Sequence, residues 1–90
     1  MSEWILCKDR LPTKDGQYLV TEEGVYDNYV DVLYFALDLY NANELAFRDK
    51  KGQSGWYVSD SEYGDYMVDD VLAWQELPKP YKEQKEKTDD

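Results

Sequence analysis

The longest apolar run of the chain reads Asn28-Tyr-Val-Asp-Val-Leu-Tyr-Phe-Ala-Leu-Asp-Leu-Tyr40. Its first half is β-branched and aromatic, which is typical of a strand. An extended backbone places its apolar side chains on two faces: Val30, Val32, Tyr34 and Ala36 on one, and Leu33, Phe35, Leu37 and Leu39 on the other. This pattern predicts a central strand covered on both sides. A helix is the alternative, because Val30, Leu33, Tyr34 and Leu37 also fit a helical stripe. We favour the strand.

Shorter apolar segments separated by turn signals lie on both sides of this run. The residue types predict strands over 17–21, 55–59 and 71–74. Residues 45–47 are expected to pair back onto the sheet, and residues 60–70 are expected to form an acidic surface loop. Trp4, Trp56 and Trp74 lie beside apolar residues and are expected to pack in the core. Together these features predict an α+β fold that is mostly antiparallel β, a small single-domain sheet with at most one or two short helices.

Length and composition indicate one domain. We expect residues 1–80 to form a compact acidic unit that begins with an arm over 1–14, and residues 81–90 to form a charged, flexible tail. A single cysteine, Cys7, allows no intramolecular disulfide. The N-terminus lacks the basic and apolar pattern of a signal peptide, and no apolar run approaches the roughly 20 residues of a membrane span. These features predict a cytoplasmic protein without membrane association.

Negative charge dominates the body of the chain. Residues 15–78 contain 14 acidic and three basic side chains, a formal charge of −11. Such a field repels nucleic acid backbones and anionic lipid, so direct nucleic acid binding is not expected. The complementary partner is a basic protein.

Catalysis and metal binding are disfavoured by what the sequence lacks. With no histidine, the chain is without the commonest general base and metal ligand. Cys7 has no histidine partner, and one cysteine cannot form a zinc site. The segment Asp60–Asp65 superficially resembles a calcium loop, but Asp65 takes the place of the required glycine. We therefore expect no enzyme activity, no cofactor and no dedicated metal site.

Short motifs at the two ends of the body resemble an uncharacterised family common in phages and gut bacteria. They are a Trp4-Ile5 opening, the turn Arg10-Leu11-Pro12, and the terminal segment Trp74-Gln75-Glu76-Leu77-Pro78. These motifs are similar to those of domain of unknown function 551. Members often have Thr-His before the terminal Trp, where this chain has Leu72-Ala73, so any role of that histidine is absent here. The resemblance implies a small α+β fold and a phage or mobile-element setting, but no established activity.

Acidic residues interleaved with tyrosines suggest a protein-binding surface. Tyrosine supplies contact area and carboxylates supply charge complementary to a basic partner. Candidate partner-binding residues are Glu22, Glu23, Asp27, Asp31, Asp38, Asp60, Glu62, Tyr63, Asp65, Tyr66, Asp69 and Asp70. This pattern suggests a nucleic-acid mimic that inhibits a basic nucleic-acid-binding defence protein, of the anti-CRISPR or anti-restriction type. The alternative is a non-inhibitory adaptor or oligomerisation module. The oligomeric state is left open.

Overall fold

Within residues 3–78, six antiparallel strands form one sheet with the order β1-β6-β2-β3-β4-β5. The computed structural model describes residues 3–78. Its elements are β1 (Ile5–Leu6), β2 (Gly16–Glu22), β3 (Tyr29–Ala36), α1 (Leu39–Ala42), β4 (Gly55–Asp60), β5 (Gly64–Val68) and β6 (Val71–Glu76). The prediction of a small, mostly antiparallel sheet with at most one or two short helices is confirmed over these residues. The predicted tail, 81–90, lies outside the described residues.

The connection between β5 and β6 requires the sheet to curl. Three strands separate this pair in the sheet, so in a flat arrangement they would lie about 19 Å apart. Only Asp69 and Asp70 join them, and such a link spans at most about 11 Å between the flanking Cα atoms. The sheet therefore bends into a partly closed barrel. Val68 and Val71, on either side of the link, pack against the same core.

The inner face of this curled sheet holds the main core. Alternate residues of four strands supply it: Tyr18, Val20, Leu33, Phe35, Trp56 and Trp74. The Tyr18 ring meets Trp56 and Trp74 edge-on, with centroids 5.9 and 5.2 Å apart. Side chains of this size stabilise a fold by about 1.5–3 kcal/mol each when fully buried. The face of the strand predicted to carry Leu33 and Phe35 thus points into the core.

The outer face of β3 differs from the prediction. Val30, Val32 and Tyr34 are 59%, 41% and 37% exposed, so the expectation of a strand covered on both sides is wrong for most of its length. Only Ala36 is buried on this face, in a second cluster with Leu39 and Phe47. Helix α1 has four residues and therefore covers only one end of the strand.

The 28–40 run divides between a strand and a helix. The strand ends at Ala36, and α1 begins at Leu39. Asp38 caps this helix, because its Oδ1 accepts hydrogen bonds from the amides of Tyr40 at 3.1 Å and Gly52 at 2.9 Å. The choice of strand is correct for the first two thirds of the run, where the β-branched residues lie.

Three further predictions are wrong. Residues 45–47 form no strand; they lie in a turn that places Phe47 against the helix. The segment 60–70, predicted to be a loop, contains strand β5. A tight hairpin turn joins β4 to β5, because Asp60 accepts hydrogen bonds from the amides of the turn and Gly64 adopts a positive φ of 82°. Trp4 is 40% exposed and does not belong to the core.

The N-terminal arm closes one end of the barrel. Ile5 pairs with Trp74, which makes β1 an edge strand next to β6. The Trp74 indole N–H donates to the Arg10 carbonyl at 3.0 Å, and the Tyr18 hydroxyl donates to the Lys14 carbonyl at 2.9 Å. The arm is therefore an integral part of the fold.

Candidate functional site

An acidic groove opens on the inner face of the sheet, between the β2–β3 hairpin and the β5–β6 link. Its volume is about 390 Å³. It is lined by four carboxylates, two tyrosines and apolar side chains: Glu22, Asp31, Asp69 and Asp70; Tyr29 and Tyr66; and Leu33, Val58, Met67 and Val68. No lysine or arginine is among these residues. We call this site the acidic groove.

Strand register brings the first two carboxylates together. Glu22 pairs with Tyr29, and Val20 pairs with Asp31, so Glu22 and Asp31 are diagonal neighbours on the inner face. An irregularity in the β2–β6 pairing lies between Thr21 and Glu22. The hydrogen bonds of the β2–β3 hairpin thus fix these two carboxylates, nine residues apart, beside each other.

The β5–β6 link supplies the other two carboxylates. Asp69 and Asp70 are the whole link, and its short length leaves little room for movement. The Glu23 amide donates a hydrogen bond of 2.9 Å to the Asp70 carbonyl, which holds the link against the end of β2. The four carboxylates of the acidic groove therefore come from three segments of the chain: β2, β3 and the β5–β6 link.

Glu22 has an unusual environment for a carboxylate, because it is only 5% exposed. Its Oε1 accepts a hydrogen bond from the Tyr29 hydroxyl at 2.7 Å. Its Oε2 is buried and receives no hydrogen bond from any of residues 3–78, and the same is true of Asp70 Oδ1. Burial raises the pKa of Glu22; the Tyr29 hydrogen bond opposes this shift, whereas Asp31 and Asp70 add to it. The site thus favours a proton or another positive group next to Glu22.

The same hydrogen bond changes the pKa of Tyr29. Its hydrogen bond to Glu22 raises the pKa of Tyr29 to about 12, with neighbouring carboxylates adding to the effect. The phenol therefore remains a neutral donor at physiological pH. The candidate residues drawn from the sequence do not include Tyr29. The signal that could have included it is the hairpin register, which places it opposite Glu22.

The structure brings together only part of the predicted surface. Five of the candidates line the acidic groove: Glu22, Asp31, Tyr66, Asp69 and Asp70. Glu23 is exposed and touches the Asp70 backbone at the edge of the groove. Asp27 lies exposed in the β2–β3 connection, and Glu62 and Tyr63 lie exposed in the β4–β5 turn.

Three other candidates stabilise local structure. Asp38 caps the helix, and Asp60 Oδ1 accepts hydrogen bonds from the Glu62 and Tyr63 amides. The backbone bonds from Tyr63 and Glu62 lower the pKa of Asp60. Asp65 Oδ2 accepts a hydrogen bond of 3.0 Å from the Asn43 side chain, so it ties β5 to the segment after α1. Neutralising these residues would perturb the fold as well as the charge.

Cys7 is a half-buried thiol of the arm that packs against the core. Burial raises the pKa of Cys7. A thiol with a raised pKa is a poor nucleophile at neutral pH.

The described part of the chain offers neither a metal-binding cluster nor a membrane-spanning helix. Over residues 3–78, no three acidic or cysteine side chains are arranged to hold a metal ion. Within the same stretch, no helix has the length and apolar content for a membrane crossing.

Comparison with protein families assigns the chain. Residues 3–82 match the model described as "Protein of unknown function (DUF551)". The chain belongs to this family. Searches of curated proteins and of solved structures gave no significant match. In this DUF551 chain the sequence motifs at the two ends meet each other, since Ile5 pairs with Trp74 and the Trp74 indole binds the Arg10 carbonyl. These motifs therefore close the fold and lie outside the lining of the acidic groove.

Proposed function

We propose that this DUF551 chain binds a basic nucleic-acid-binding protein and blocks its cationic cleft as a nucleic-acid mimic. The target would be a host defence protein of the CRISPR or restriction type, met in the bacterial cytoplasm. The observation that carries the proposal is the acidic groove, where four carboxylates converge without a lysine or arginine among the lining residues. An acidic surface kept only for solubility has no need of such a cluster.

Electrostatics favours a cationic partner at this place. Like charges held close together disfavour the isolated protein, and burial of Glu22 increases that cost. A cationic surface that covers the groove relieves both effects, and complementary fields also accelerate association. The half-exposed rings of Tyr29 and Tyr66, each 47% accessible, add contact area of the kind enriched in protein interfaces.

Competition with nucleic acid tests the proposal directly. The chain is immobilised, a bacterial lysate is passed over it, and bound proteins are eluted either with duplex DNA or with NaCl of the same ionic strength. A mimic should release its partner to DNA at a concentration where salt alone has little effect. The identified partner should then lose DNA binding when the chain is added.

Matched variants separate position from net charge. The groove variant carries Asp31→Asn, Asp69→Asn and Asp70→Asn, and the control carries Asp9→Asn, Glu44→Gln and Asp49→Asn at exposed sites. Both variants remove three negative charges. If the position of the charges determines binding, only the groove variant should lose partner binding. Equal loss in both, or elution that depends on ionic strength alone, would show that the charge acts without a defined site.

The outer sheet face supports a second candidate, an adaptor or oligomerisation module. On this face β2 and β3 present uncharged side chains: Gln17, Leu19, Thr21, Val30, Val32 and Tyr34. Association through such a surface should depend little on salt. Light scattering at low and high salt tests this reading, with Val32→Lys expected to prevent assembly. A monomer at both salt concentrations argues against self-assembly through this face.

A further inference from the structure

The acidic groove contains one feature that a general negative surface does not require. Glu22 is 5% exposed, lies on the inner face among the groove residues, and its Oε2 has no hydrogen-bond donor within residues 3–78. Asp70 Oδ1 is likewise buried without a donor there. Buried polar atoms normally have partners, because an unmade hydrogen bond costs free energy. Two acceptors without donors in one groove indicate a ligand that brings donors.

The surroundings of these acceptors define the chemistry of that ligand. Asp31 and Asp69 add further carboxylates, so the ligand carries positive charge. The acidic side chains of residues 3–78 do not form a metal-binding arrangement, which argues against an ion held by the carboxylates. An organic cation with several N–H donors fits this set of acceptors.

Arginine fits the groove better than lysine. Its guanidinium has five N–H donors in a fixed plane, whereas an ammonium is a compact and strongly hydrated point charge. Glu22 lies on β2, Asp31 on β3 and Asp70 on the β5–β6 link, so the acceptors approach from different directions. The rings of Tyr29 and Tyr66 at the groove can contact the face of a planar cation.

We propose that the acidic groove is a slot for a single arginine side chain of the partner, whose guanidinium donates to Glu22 and to the neighbouring aspartates. This inference rests on the proposed function, because it names the partner group that enters the same groove. The apolar stem of the arginine contacts Val58 and Val68, which also line the groove. At about 390 Å³ the groove has room for one such side chain and not for a folded segment.

A titration with small peptides tests the slot without knowledge of the partner. Acetylated and amidated Gly-Arg-Gly is added to the isotope-labelled full chain and followed by amide chemical shifts. Gly-citrulline-Gly is the matched control, since citrulline has nearly the same shape without the charge. We expect saturable shifts at Glu22, Asp31, Tyr66 and Asp70 with the arginine peptide, weaker shifts with Gly-Lys-Gly, and none with citrulline.

Variants complete the test. Glu22→Gln keeps the size of the side chain and should weaken binding of the arginine peptide by about tenfold or more. Glu44→Gln, at an exposed position in the turn after α1, should leave it unchanged. Amide spectra of both variants report whether the fold is intact, and Asp70→Asn provides a second groove variant if Glu22→Gln perturbs it.

Three results would overturn the slot: equal binding of the citrulline peptide, shifts spread over the whole acidic surface, or unchanged affinity in both Glu22→Gln and Asp70→Asn. Tighter binding of CaCl₂ than of the arginine peptide at the same residues would also overturn it. None of these outcomes affects the DNA-elution experiment. Failure of the slot can therefore be distinguished from failure of the nucleic-acid-mimic proposal.

Discussion

The Tyr29 hydroxyl donates a hydrogen bond of 2.7 Å to Oε1 of Glu22, across the hairpin formed by β2 and β3. This contact satisfies one oxygen of a buried carboxylate and leaves the other without a donor within residues 3–78. It also aligns the tyrosine ring with the acidic groove. The stability of the domain and the charge of its groove are therefore coupled through one side chain.

Replacing Glu22 by Gln should stabilise the protein increasingly as pH rises. The pKa of Glu22 is raised above its ordinary value of 4.5. Glu22 therefore contributes favourably to the free energy of unfolding at low pH, and this contribution is lost as pH increases through the raised pKa. Glutamine does not titrate. We expect the variant to gain about 1 kcal/mol over the parent at neutral pH, or roughly 4–8 °C in Tm, and less near pH 5.

Thermal unfolding of both proteins between pH 5 and 8 measures this difference. All other acidic groups are shared, so their contributions cancel in the comparison. A gain that does not change with pH, or a loss that grows with pH, would contradict the assignment.

Removal of the Tyr29 hydroxyl should have the opposite effect. Tyr29→Phe leaves both oxygens of Glu22 without a donor in the described residues, at a cost of about 1–2 kcal/mol in the free energy of unfolding. Tyr26→Phe is the control, because Tyr26 is 94% exposed. In a double-mutant cycle the cost of Tyr29→Phe should shrink when Glu22 is already Gln. Because glutamine can still accept this bond, additive effects would show that the negative charge of Glu22 does not strengthen it.

Trp74 should matter more to stability than Trp4. Trp74→Phe removes the hydrogen bond to the Arg10 carbonyl and part of a side chain that is 6% exposed, so we expect a loss of about 2 kcal/mol. The arm should also loosen, which hydrogen exchange of the Cys7 amide would report, since this amide bonds to the Leu72 carbonyl. Trp4→Phe should cost under about 0.5 kcal/mol. Equal costs would contradict the arm's role in closing the barrel.

Gly24 should tolerate substitution less well than Gly52. A Cβ at Gly24 would lie 2.2 Å from the Asp27 carbonyl oxygen, a backbone atom that cannot move aside, so Gly24→Ala must rearrange the β2–β3 connection. At Gly52 the added atom meets open space, and only the positive φ of 79° opposes it, at about 1 kcal/mol. Chemical denaturation compares the two. Only Gly24→Ala should also shift the Tyr29 ring resonances, because the same Cβ lies 3.2 Å from that ring.

Local pattern predicted the strands better than it predicted their environment. The β-branched and aromatic residues of β3 predict its extended conformation, and the alternation of an extended chain places Leu33 and Phe35 on one face. The exposure of Val30 and Val32 depends instead on how much of the outer sheet face the four-residue helix α1 covers, and this is a property of the tertiary structure. Trp4 looked like a core residue for the same reason, because its apolar neighbours are visible in sequence and its position at the sheet edge is not.

The acidic groove was only partly predictable because net charge carries no information on contact. Glu22 and Asp31 meet through strand register, and Asp69 and Asp70 join them only because the sheet curls. Asp38, Asp60 and Asp65 are carboxylates of the same type, yet their oxygens accept hydrogen bonds that stabilise the fold itself. Strand order, which links segments up to about 50 residues apart, determines which carboxylates face one another.

The position of β6 between β1 and β2 has a consequence for biosynthesis. Among the strands of residues 3–78, β6 leaves the ribosome after all the others, yet it fills a gap between β1 and β2. Until Trp74 has been translated, Ile5 has no partner and the Tyr18 ring lacks one of its two aromatic neighbours. A nascent chain that stops before Val71 therefore cannot complete the sheet of residues 3–78, which forms only after β6 has been translated.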